Sequence, residues 1–384
     1  MPARHPSGRL IRQREGYSAF IPDPLPPTLN WTAALVGALS EADRAIGRLA
    51  GEGSRLPNPH LLIRPFIRRE AVLSSRIEGT QATLGELLAA EAGAAVERSP
   101  ADLREVANYV AALEFGVGRL ASLPISLRLV RELHGRLMED VRGQATPGEF
   151  RRSQNWIGPP GCTLANATFV PPPPHEMIRA LEAWERFLHD RALPPLVHLA
   201  LAHSQFEAIH PFLDGNGRVG RLLITLLLVE RGVLPAPLLC LSAFFEATRR
   251  TYYDRLLGVT RDGTWEEWIE YFLTGVARQA EDASSRAARI NALLANWRGQ
   301  AAKQASASSI ALLDLLAENP FWTVNGVARR LSVAYTTAQR AVGALVKLGA
   351  LAPVSAARRD RVFVARAILD ILEEPARLVP EGQL

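Results

Sequence analysis

The spacing of apolar residues predicts a mainly α-helical chain. From about residue 30 onward, apolar side chains recur every third or fourth position, the period that places them on one face of a helix. The first such run extends from Leu35 to Leu49, and Gly51 and Gly53 are expected to end it. Similar runs predict further helices at 61–75, 81–97, 100–120, 127–141, 175–190, 195–209, 241–258 and 264–294.

Two short β-prone runs interrupt the helical pattern. Residues 148–158 and 167–170 are joined by a loop that begins Gly158-Pro159-Pro160-Gly161, so we predict a β-hairpin flap over residues 149–170. Prolines flank the hairpin and no other strand signal lies nearby in the sequence. These features predict an exposed sheet edge.

The pattern changes at both ends of the chain. Residues 1–28 are polar and rich in proline, which predicts an extended arm. Residues 298–309 are small and polar, which predicts a linker between domains. Between these two stretches we expect an N-terminal helical segment at 29–122 and a helical core at 123–297.

Residues 310–370, beyond the linker, combine helix and strand signals, and residues 371–384 are expected to form a tail. Helices are predicted at 308–318, 323–331 and 335–348, and strands at 351–354 and 362–364. Thr323 is expected to cap the second of these helices. The two strands flank the basic run Arg358-Arg359-Asp360-Arg361. A helix–turn–helix followed by a basic hairpin predicts a winged helix.

The partner of this C-terminal domain stays open. A winged helix is typical of DNA binding, with the early face of the helix at 335–348 as the recognition surface. Residues 301–384, however, hold ten Lys or Arg against seven Asp or Glu, a modest surplus of positive charge for a DNA-binding module. Winged helices also serve as protein-contact modules, so DNA and a protein remain equal alternatives.

The composition is that of a globular protein of two or three domains: 384 residues, 48% apolar and 22% charged. The formal charge of +5 permits an acidic partner but does not indicate one. Cys162 and Cys240 lack metal-ligand spacing and exclude a disulfide framework, so we expect a reducing, cytoplasmic setting. The first residues lack a signal peptide, and the longest apolar run breaks at Glu230, so no membrane span is expected.

The densest group of chemically active residues is the run His210-Pro211-Phe212-Leu213-Asp214-Gly215-Asn216-Gly217-Arg218-Val219-Gly220-Arg221. Residues 222–229 are apolar except for Thr225, so a glycine-rich loop is predicted to lead into a buried helix. Free N–H groups and the positive end of the helix dipole favour an anion at such a junction. Arg218 and Arg221 share a face of the first turn, and two guanidinium groups suit a polyphosphate.

Phosphate chemistry also fits the other polar residues of this run. Asp214 beside a phosphate site suits Mg²⁺, which proteins usually hold with one or two carboxylates plus substrate phosphates. His210 lies one short loop away and can take a proton near neutral pH. The residues therefore predict a nucleotide site with a general base and no side-chain nucleophile. The attacking hydroxyl would come from a second substrate.

The run matches the motif H-x-F-x-D-G-N-G-R-x-x-R position by position, and the chain resembles proteins of the Fic family. The resemblance implies a Fic helical core whose hairpin flap pairs with the backbone of a target protein. It implies transfer of AMP from ATP to a Ser, Thr or Tyr hydroxyl of that protein, with release of pyrophosphate. His210 would be the base, and Asp214 would hold Mg²⁺. The residues implied to bind ATP are Gly215, Asn216, Gly217, Arg218, Val219, Gly220 and Arg221.

A second signature lies upstream of this run. The segment Ser74-Ser75-Arg76-Ile77-Glu78-Gly79 resembles the family's inhibitory motif S/T-x-x-x-E-G/N, in which a helix brings a glutamate to the second arginine of the Fic motif. The resemblance implies a pair between Glu78 and Arg221 at the ATP site, with Ser74, Glu78 and Gly79 as the inhibitory residues. The alternative is an ordinary surface acid at a helix C-terminus.

Three functions stay open on the sequence alone. The first is a protein adenylyltransferase restrained by Glu78. The second is a transcriptional regulator that senses nucleotide or modifies itself and binds DNA through the C-terminal domain. The third is a de-adenylylating enzyme in which Glu78 orients water. The target protein, the modified residue and the formation of a homodimer also stay open.

Overall fold

The computed structural model describes residues 3–55, 60–94, 96, 99–141, 146–159, 161–301, 306–354 and 361–378. Helices dominate these residues, as the apolar spacing predicts. Within the described residues, no helix combines the length and the apolar character needed to span a bilayer.

The first described residues form a three-stranded antiparallel sheet, so the prediction of an extended arm is wrong. Strand β1 (Ala3–His5) pairs with β2 (Gly8–Arg12), which pairs with β3 (Ser18–Pro22). The prolines that suggested an arm begin at Pro22, where β3 ends. The strands are short, and β3 alone buries consecutive apolar residues, Ala19–Ile21. A run this short carries little periodic signal in the sequence.

The N-terminal segment continues with α1 (Ala33–Arg55), α2 (His60–Ile77), α3 (Leu84–Glu91), α4 (Pro100–Arg119) and α5 (Leu127–Leu137). Helix α1 passes through Gly51 and Gly53, so the end predicted at these glycines is wrong. A Cβ at Gly53 would lie 2.5 Å from Leu238 Cδ1. This glycine therefore permits a close approach of α1 to Leu238 and does not end the helix.

The core contains α6 (Pro174–Leu188), α7 (Pro195–Ile209), α8 (Asn216–Glu230), α9 (Ser242–Ala247), α10 (Arg249–Asp262) and α11 (Trp265–Ala301). Helices α7 and α8 lie at its centre, and almost every one of their side chains is buried. Helix α1 packs along α11 on one side of this centre. The helix predicted at 241–258 is divided into α9 and α10 at Thr248, whose Oγ1 donates to the Phe244 carbonyl at 2.7 Å.

The C-terminal residues follow the predicted order of helices and strands, with additions. They form α12 (Ala307–Glu318), β4 (Phe321–Thr323), α13 (Val324–Leu331), α14 (Tyr335–Lys347), β5 (Ala352–Pro353), β6 (Val362–Val364) and α15 (Arg366–Glu373). The strands form an antiparallel sheet in the order β4-β6-β5. Strand β4 and helix α15 are absent from the sequence prediction. Thr323 caps α13 as expected, accepting from Gly326 N at 3.0 Å.

The winged-helix interpretation of these elements stays a prediction. Arg358 and Arg359, two of the arginines assigned to the wing, lie outside the described residues, whereas Arg361 is described and exposed. The predicted linker at 298–309 is helical at both of its ends. Helix α11 continues to Ala301, α12 begins at Ala307, and residues 302–305 lie outside the described part of the chain.

The C-terminal elements pack directly on the body. Helix α12 lies against α2, and α15 lies against α2, α3 and α11. The Glu373 carboxylate accepts from Gly85 N at 2.8 Å. Arg289 donates to both carboxylate oxygens of Glu374, at 2.5 and 2.6 Å. These contacts attach α15 and the residue after it to α3 and α11, so this part of the chain is not a free tail.

A buried charge cluster joins α2, α11 and the end of α15. The Asp282 carboxylate lies 2.8 Å from Arg286 Nε and 3.5 Å from Arg69 NH1, and all three side chains are almost fully buried. Arg286 also donates to the carbonyls of Glu374 and Pro375, both at 3.0 Å. One carboxylate therefore compensates two buried guanidinium groups that hold these elements together.

We expect Asp282→Ala to destabilise the protein by about 3–5 kcal/mol, because it leaves two buried arginines without a counter-charge. The measurement is urea unfolding followed by circular dichroism. The matched control is Asp254→Ala, which removes an exposed partner of Arg250 and should leave the midpoint almost unchanged. Equal midpoints for Asp282→Ala and wild type would contradict the role of the cluster.

Candidate active site

The backbone at the end of α7 sets the position of His210. This residue follows the last turn of α7 in the left-handed region, with φ +50°, and its N–H donates to the Phe206 carbonyl at 3.0 Å. Its ring Nδ1 lies 3.2 Å from the Glu207 carbonyl. If Nδ1–H donates to that carbonyl, Nε2 keeps a free lone pair. Burial lowers the pKa of His210 to about 4, so the ring is neutral at pH 7 and able to accept a proton.

Two buried residues from the region of the predicted flap hold the carbonyl of His210. Arg151 Nε donates to it at 2.9 Å and Asn155 Nδ2 at 3.2 Å. Asn155 also donates to the Phe212 carbonyl at 2.9 Å, and Arg151 N donates to Pro211 O, also at 2.9 Å. Sequence reasoning missed both residues, because nothing in a local pattern says that this segment lies beside the motif loop.

The motif loop is closed by the side chain of Asn216. Its Oδ1 accepts from Phe212 N at 2.8 Å, and its Nδ2 donates to Phe212 O at 2.9 Å. Gly215, with φ +79°, makes the turn into α8, where a Cβ would lie 2.8 Å from Met138 Sδ. Because the Asn216 side chain is already engaged, any contact of this residue with phosphate would use its backbone N–H.

His134 supports the same loop from α5. Its ring stacks on Phe212, with 3.7 Å between centroids and 4° between planes. Its Nδ1 accepts from Gly148 N at 2.9 Å, so the proton of the neutral ring lies on Nε2, which donates to Asp214 O at 3.1 Å. Burial lowers the pKa of His134 to about 4, in keeping with this neutral form. The contacts of His134 are structural, because its ring holds the motif loop in place.

The N-terminus of α8 is open toward the site. No side chain caps it, so the N–H groups of its first turn are available to an anion. A Cβ at Gly217 would lie only 2.4 Å from Glu78 Oε1, so the glycine admits that carboxylate. Val219 is buried in the core, and its N–H already donates to Gly215 O at 3.0 Å. Val219, although predicted to bind ATP, therefore offers neither its side chain nor its N–H to a ligand.

Asp214, the single acid of the motif, is exposed. Its side chain is 54% exposed, its Oδ1 accepts from Gly215 N at 2.5 Å, and the same oxygen lies 3.6 Å from Arg218 NH2. One exposed carboxylate beside an uncapped helix N-terminus fits Mg²⁺ that is shared with the phosphates of a nucleotide.

The predicted pair between Glu78 and Arg221 is present. Glu78 follows directly after α2, and its Oε1 accepts from Arg221 NH2 at 2.6 Å. Arg221 also donates to Ser74 Oγ at 2.9 Å and to Ser74 O at 3.0 Å. Burial alone would raise the pKa of Glu78, but the charge and hydrogen bond of Arg221 lower it below its usual value. The glutamate is therefore ionised at neutral pH.

The first motif arginine also has a carboxylate partner. Arg218 NH1 lies 3.3 Å from Glu105 Oε2, an oxygen that also accepts from Thr80 Oγ1 at 3.0 Å. Sequence reasoning missed Glu105, because it lies 113 residues away from Arg218 in the chain. Both arginines that were predicted to bind phosphate are thus paired with carboxylates in this structure.

The predicted hairpin flap is present as a small antiparallel pairing that consists of a single bridge. Among the described residues of the flap, Ile157 and Phe169 exchange hydrogen bonds of 2.8 and 3.0 Å, and no longer strand pair forms. The return segment is not a free edge, because Phe20 N in β3 donates to Val170 O at 2.9 Å. The N-terminal sheet, which the sequence did not indicate, supplies that neighbour.

Comparison with protein families matches two segments of the chain. Residues 36–118 match the model described as Fic/DOC family N-terminal, and residues 124–228 match the Fic/DOC family model. The second match ends inside α8 and includes the whole of the His210–Arg221 run. The first covers α2 and the inhibitory signature.

Curated relatives match over part of their length. The protein adenylyltransferase Fic of Drosophila yakuba is 33% identical over 152 residues, and that of Drosophila erecta is 31% identical over the same length. In both cases the match covers 39% of this chain and 27% of the relative. The chain thus spans about a quarter of the length of these curated relatives.

Solved structures share the fold. A Fic family protein from Desulfovibrio desulfuricans has a TM-score of 0.59 at 21% identity, and the match covers 89% of this chain and 98% of that protein. Residues 134–508 of Fic-1 from C. elegans give a TM-score of 0.50 at 25% identity, covering 66% of this chain and 72% of that one.

The buried, neutral His134 predicts how stability depends on pH. Its pKa is about 4 in the folded protein and about 6.5 when unfolded, so the unfolded chain binds more protons between these values. Its contribution is complete above pH 6.5 and is lost as the pH falls to 4, by about 3 kcal/mol in total. His134→Gln should be less stable than wild type at pH 7, and this difference should shrink toward pH 4.

The measurement for His134 is urea unfolding at a series of pH values. His175→Gln is the matched control, because His175 is exposed and should leave the pH dependence of unfolding unchanged. A difference between His134→Gln and wild type that stays constant from pH 7 to pH 4 would contradict the neutral, buried state.

Proposed function

Because residues 36–118 and 124–228 of this chain belong to the Fic/DOC family, we propose that it is a protein adenylyltransferase. It would transfer AMP from ATP to a Ser, Thr or Tyr hydroxyl of a protein and release pyrophosphate. The observation that carries this proposal is the placement of a neutral His210 beside the uncapped N-terminus of α8. Such a site combines a base for a hydroxyl with a place for phosphates.

In the proposed reaction, the target hydroxyl gives its proton to Nε2 of His210. The hydroxyl oxygen forms a bond to the α-phosphorus of ATP, the bond from that phosphorus to the β-phosphate bridge breaks, and pyrophosphate leaves. The N–H groups at the start of α8, with Arg218 and Arg221, would compensate the phosphate charge. Asp214 would hold Mg²⁺, which would supply further charge compensation for the departing pyrophosphate.

We assign the restraint on this reaction to Glu78. The carboxylate occupies Arg221 at 2.6 Å and lies against Gly217 at the helix N-terminus. A terminal phosphate of ATP would compete with it for the same guanidinium group. Because phosphoryl transfer depends on alignment, a nucleotide that cannot reach Arg221 would react slowly. Ser74 supports the restraint, since its hydroxyl and carbonyl fix the guanidinium orientation.

We place the target protein at the 149–170 flap. Trp156 and Ile157 are exposed there although both are large and apolar, and Ile157 belongs to the only bridge among the described flap residues. An extended target segment could add to this short pair by backbone hydrogen bonds. The hydroxyl to be modified would then lie near His210, whose carbonyl is held by Arg151 and Asn155 of the same flap.

A DNA-binding regulator is a second candidate function, and it is favoured by the free face of α14. Thr336, Gln339 and Arg340 are exposed on the early turns of this helix, as expected of a recognition helix. A protein that binds the same face is the alternative.

The main test is labelling with ATP that carries a label on the α-phosphate. We expect Glu78→Gly to label itself or a target on the order of 10²-fold more strongly than wild type, because Arg221 becomes free to align the phosphates. Adding His210→Ala should reduce this labelling by about 10²–10⁴-fold, the usual cost of losing a general base. Removal of Mg²⁺ with a chelator should also abolish it.

The matched control for labelling is Glu246→Gly, which removes an acid 4.0 Å from Arg76 of α2 without touching Arg221. It should label like wild type. Equal labelling by Glu78→Gly and wild type would remove Glu78 from the restraint. Release of AMP from a pre-labelled protein by wild type, and not by Glu78→Gly, would support the de-adenylylating reaction instead.

The regulator candidate is tested by binding to a fluorescent DNA duplex at several salt concentrations. If α14 contacts phosphates, Arg340→Ala should weaken binding and lower the slope of log affinity against log salt by about 0.9. Arg250→Ala, which changes an exposed arginine of α10, is the control. Absence of salt-dependent binding by the wild-type chain would leave a protein as the partner of this face.

A further inference from the structure

A second carboxylate lies beside His210, and neither the sequence motif nor the proposed function uses it. Glu207 is on the last turn of α7, and its Oε2 lies 4.0 Å from His210 Nδ1. Its Oε1 is buried and has no hydrogen-bond partner. A buried carboxylate oxygen without a hydrogen-bond partner destabilises a folded protein. The presence of one here therefore requires a structural or functional explanation.

Helix α8 leaves space for the Glu207 side chain where it packs against α7. A Cβ at Gly220 of α8 would lie 2.3 Å from Glu207 Oε1. Any larger residue at position 220 would displace the carboxylate. Gly220 was predicted to bind ATP, but in this structure its absent side chain makes room for Glu207.

The charged and titratable groups around Glu207 come from three other elements. Burial raises its pKa to about 7, Arg221 of α8 lowers it, and Glu78 beyond α2 raises it. The negative charge of this carboxylate also raises the pKa of Tyr252 of α10. The carboxyl group therefore changes its ionisation near neutral pH, whereas an exposed glutamate is ionised well below it.

We propose that Glu207 is a positioning residue for the transfer reaction: its backbone carbonyl fixes the His210 ring, and its carboxylate stabilises the imidazolium that forms when His210 takes the target's proton. This inference rests on the proposed adenylyltransferase function. In the step concerned, the proton passes from the hydroxyl to His210 Nε2, and the positive charge that appears on the ring lies about 4 Å from the Glu207 carboxylate.

The environment of His210 explains why such a group is needed. Burial lowers the pKa of His210, and the charge of Arg151 lowers it further, while Glu78 and Asp214 raise it. When Glu78 leaves Arg221, one of these supporting negative charges is lost. Glu207 cannot leave, because it belongs to α7 itself. An opposite charge within about 4–6 Å favours the protonated ring, typically by a unit of pKa or more.

The experiment compares Glu207→Gln with its parent in the Glu78→Gly background, with α-labelled ATP and a labelled substrate protein or the chain itself. Gln keeps the size of the side chain and removes its charge. We expect the transfer rate of the parent to rise with pH as Glu207 ionises. This rise should be centred near or somewhat below pH 7, because the loss of Glu78 lowers the pKa of Glu207. In Glu207→Gln the rate should be roughly tenfold lower above that pH and should lack this rise.

A second readout does not depend on catalysis. Histidine resonances labelled with ¹³C are followed against pH by NMR, and the His210 signal is identified by its loss in His210→Ala. In the parent the His210 signal should shift near or somewhat below pH 7, as the adjacent Glu207 carboxyl ionises, and this step should be absent in Glu207→Gln. Glu230→Gln is the matched control, since Glu230 is a carboxylate at the far end of α8 that also has an oxygen without a hydrogen bond. It should leave the transfer rate and the step near pH 7 in the His210 signal unchanged.

The outcomes separate this inference from the proposed function. If the Glu78→Gly parent transfers AMP and Glu207→Gln has the same rate and pH profile, the inference is overturned and the function stands. If the parent transfers nothing, the function fails, and a His210 signal that shows no step near pH 7 lost in Glu207→Gln would overturn the inference as well. Glu207→Met tests packing alone: parental activity in this variant would show that the charge is not needed.

Discussion

The buried guanidinium group of Arg221 is the point on which the site depends. It joins α8 to the end of α2 through Ser74 and Glu78, at distances of 2.6–3.0 Å, with 1% of its side chain exposed. A buried arginine without a counter-charge would be strongly destabilising. The site therefore always requires an anion at this position, either the Glu78 carboxylate or a phosphate. Under the proposed function, that requirement would let one residue serve both the stability of the resting protein and the binding of nucleotide.

The motif loop is rigid for a different reason, namely the satisfaction of its backbone groups. His210 has a positive φ, and its carbonyl is held by Arg151 and Asn155. Asn216 bonds both backbone groups of Phe212, and His134 bonds the Asp214 carbonyl. Buried backbone groups without partners are costly, so each of these side chains fixes the loop. The chemistry attributed to His210 thus relies on residues that lack reactive roles themselves.

The sequence predicts the site's local parts well and its long-range parts poorly. The helical period locates α7 to the residue, and the glycine-rich run locates the start of α8 within a few residues. The pair of Glu78 with Arg221 follows from a resemblance to known proteins. Glu105, Arg151 and Glu207 could not be assigned in this way, because their importance arises from distances between separate segments. The N-terminal sheet was missed because its strands are too short to show a period.

The restraint proposed for Glu78 would also depend on how firmly α2 is held. Arg64 of α2 is paired with the buried Glu318 of α12, which also binds Arg330 at 3.1 Å, and Arg69 lies 3.5 Å from Asp282. Displacing α2 as a body would break these contacts together and expose buried charges. Glu78 lies beyond the last helical residue and is followed by a glycine with φ +102°. A local rotation of this short segment frees Arg221 at much lower cost, since the α2 contacts then stay intact.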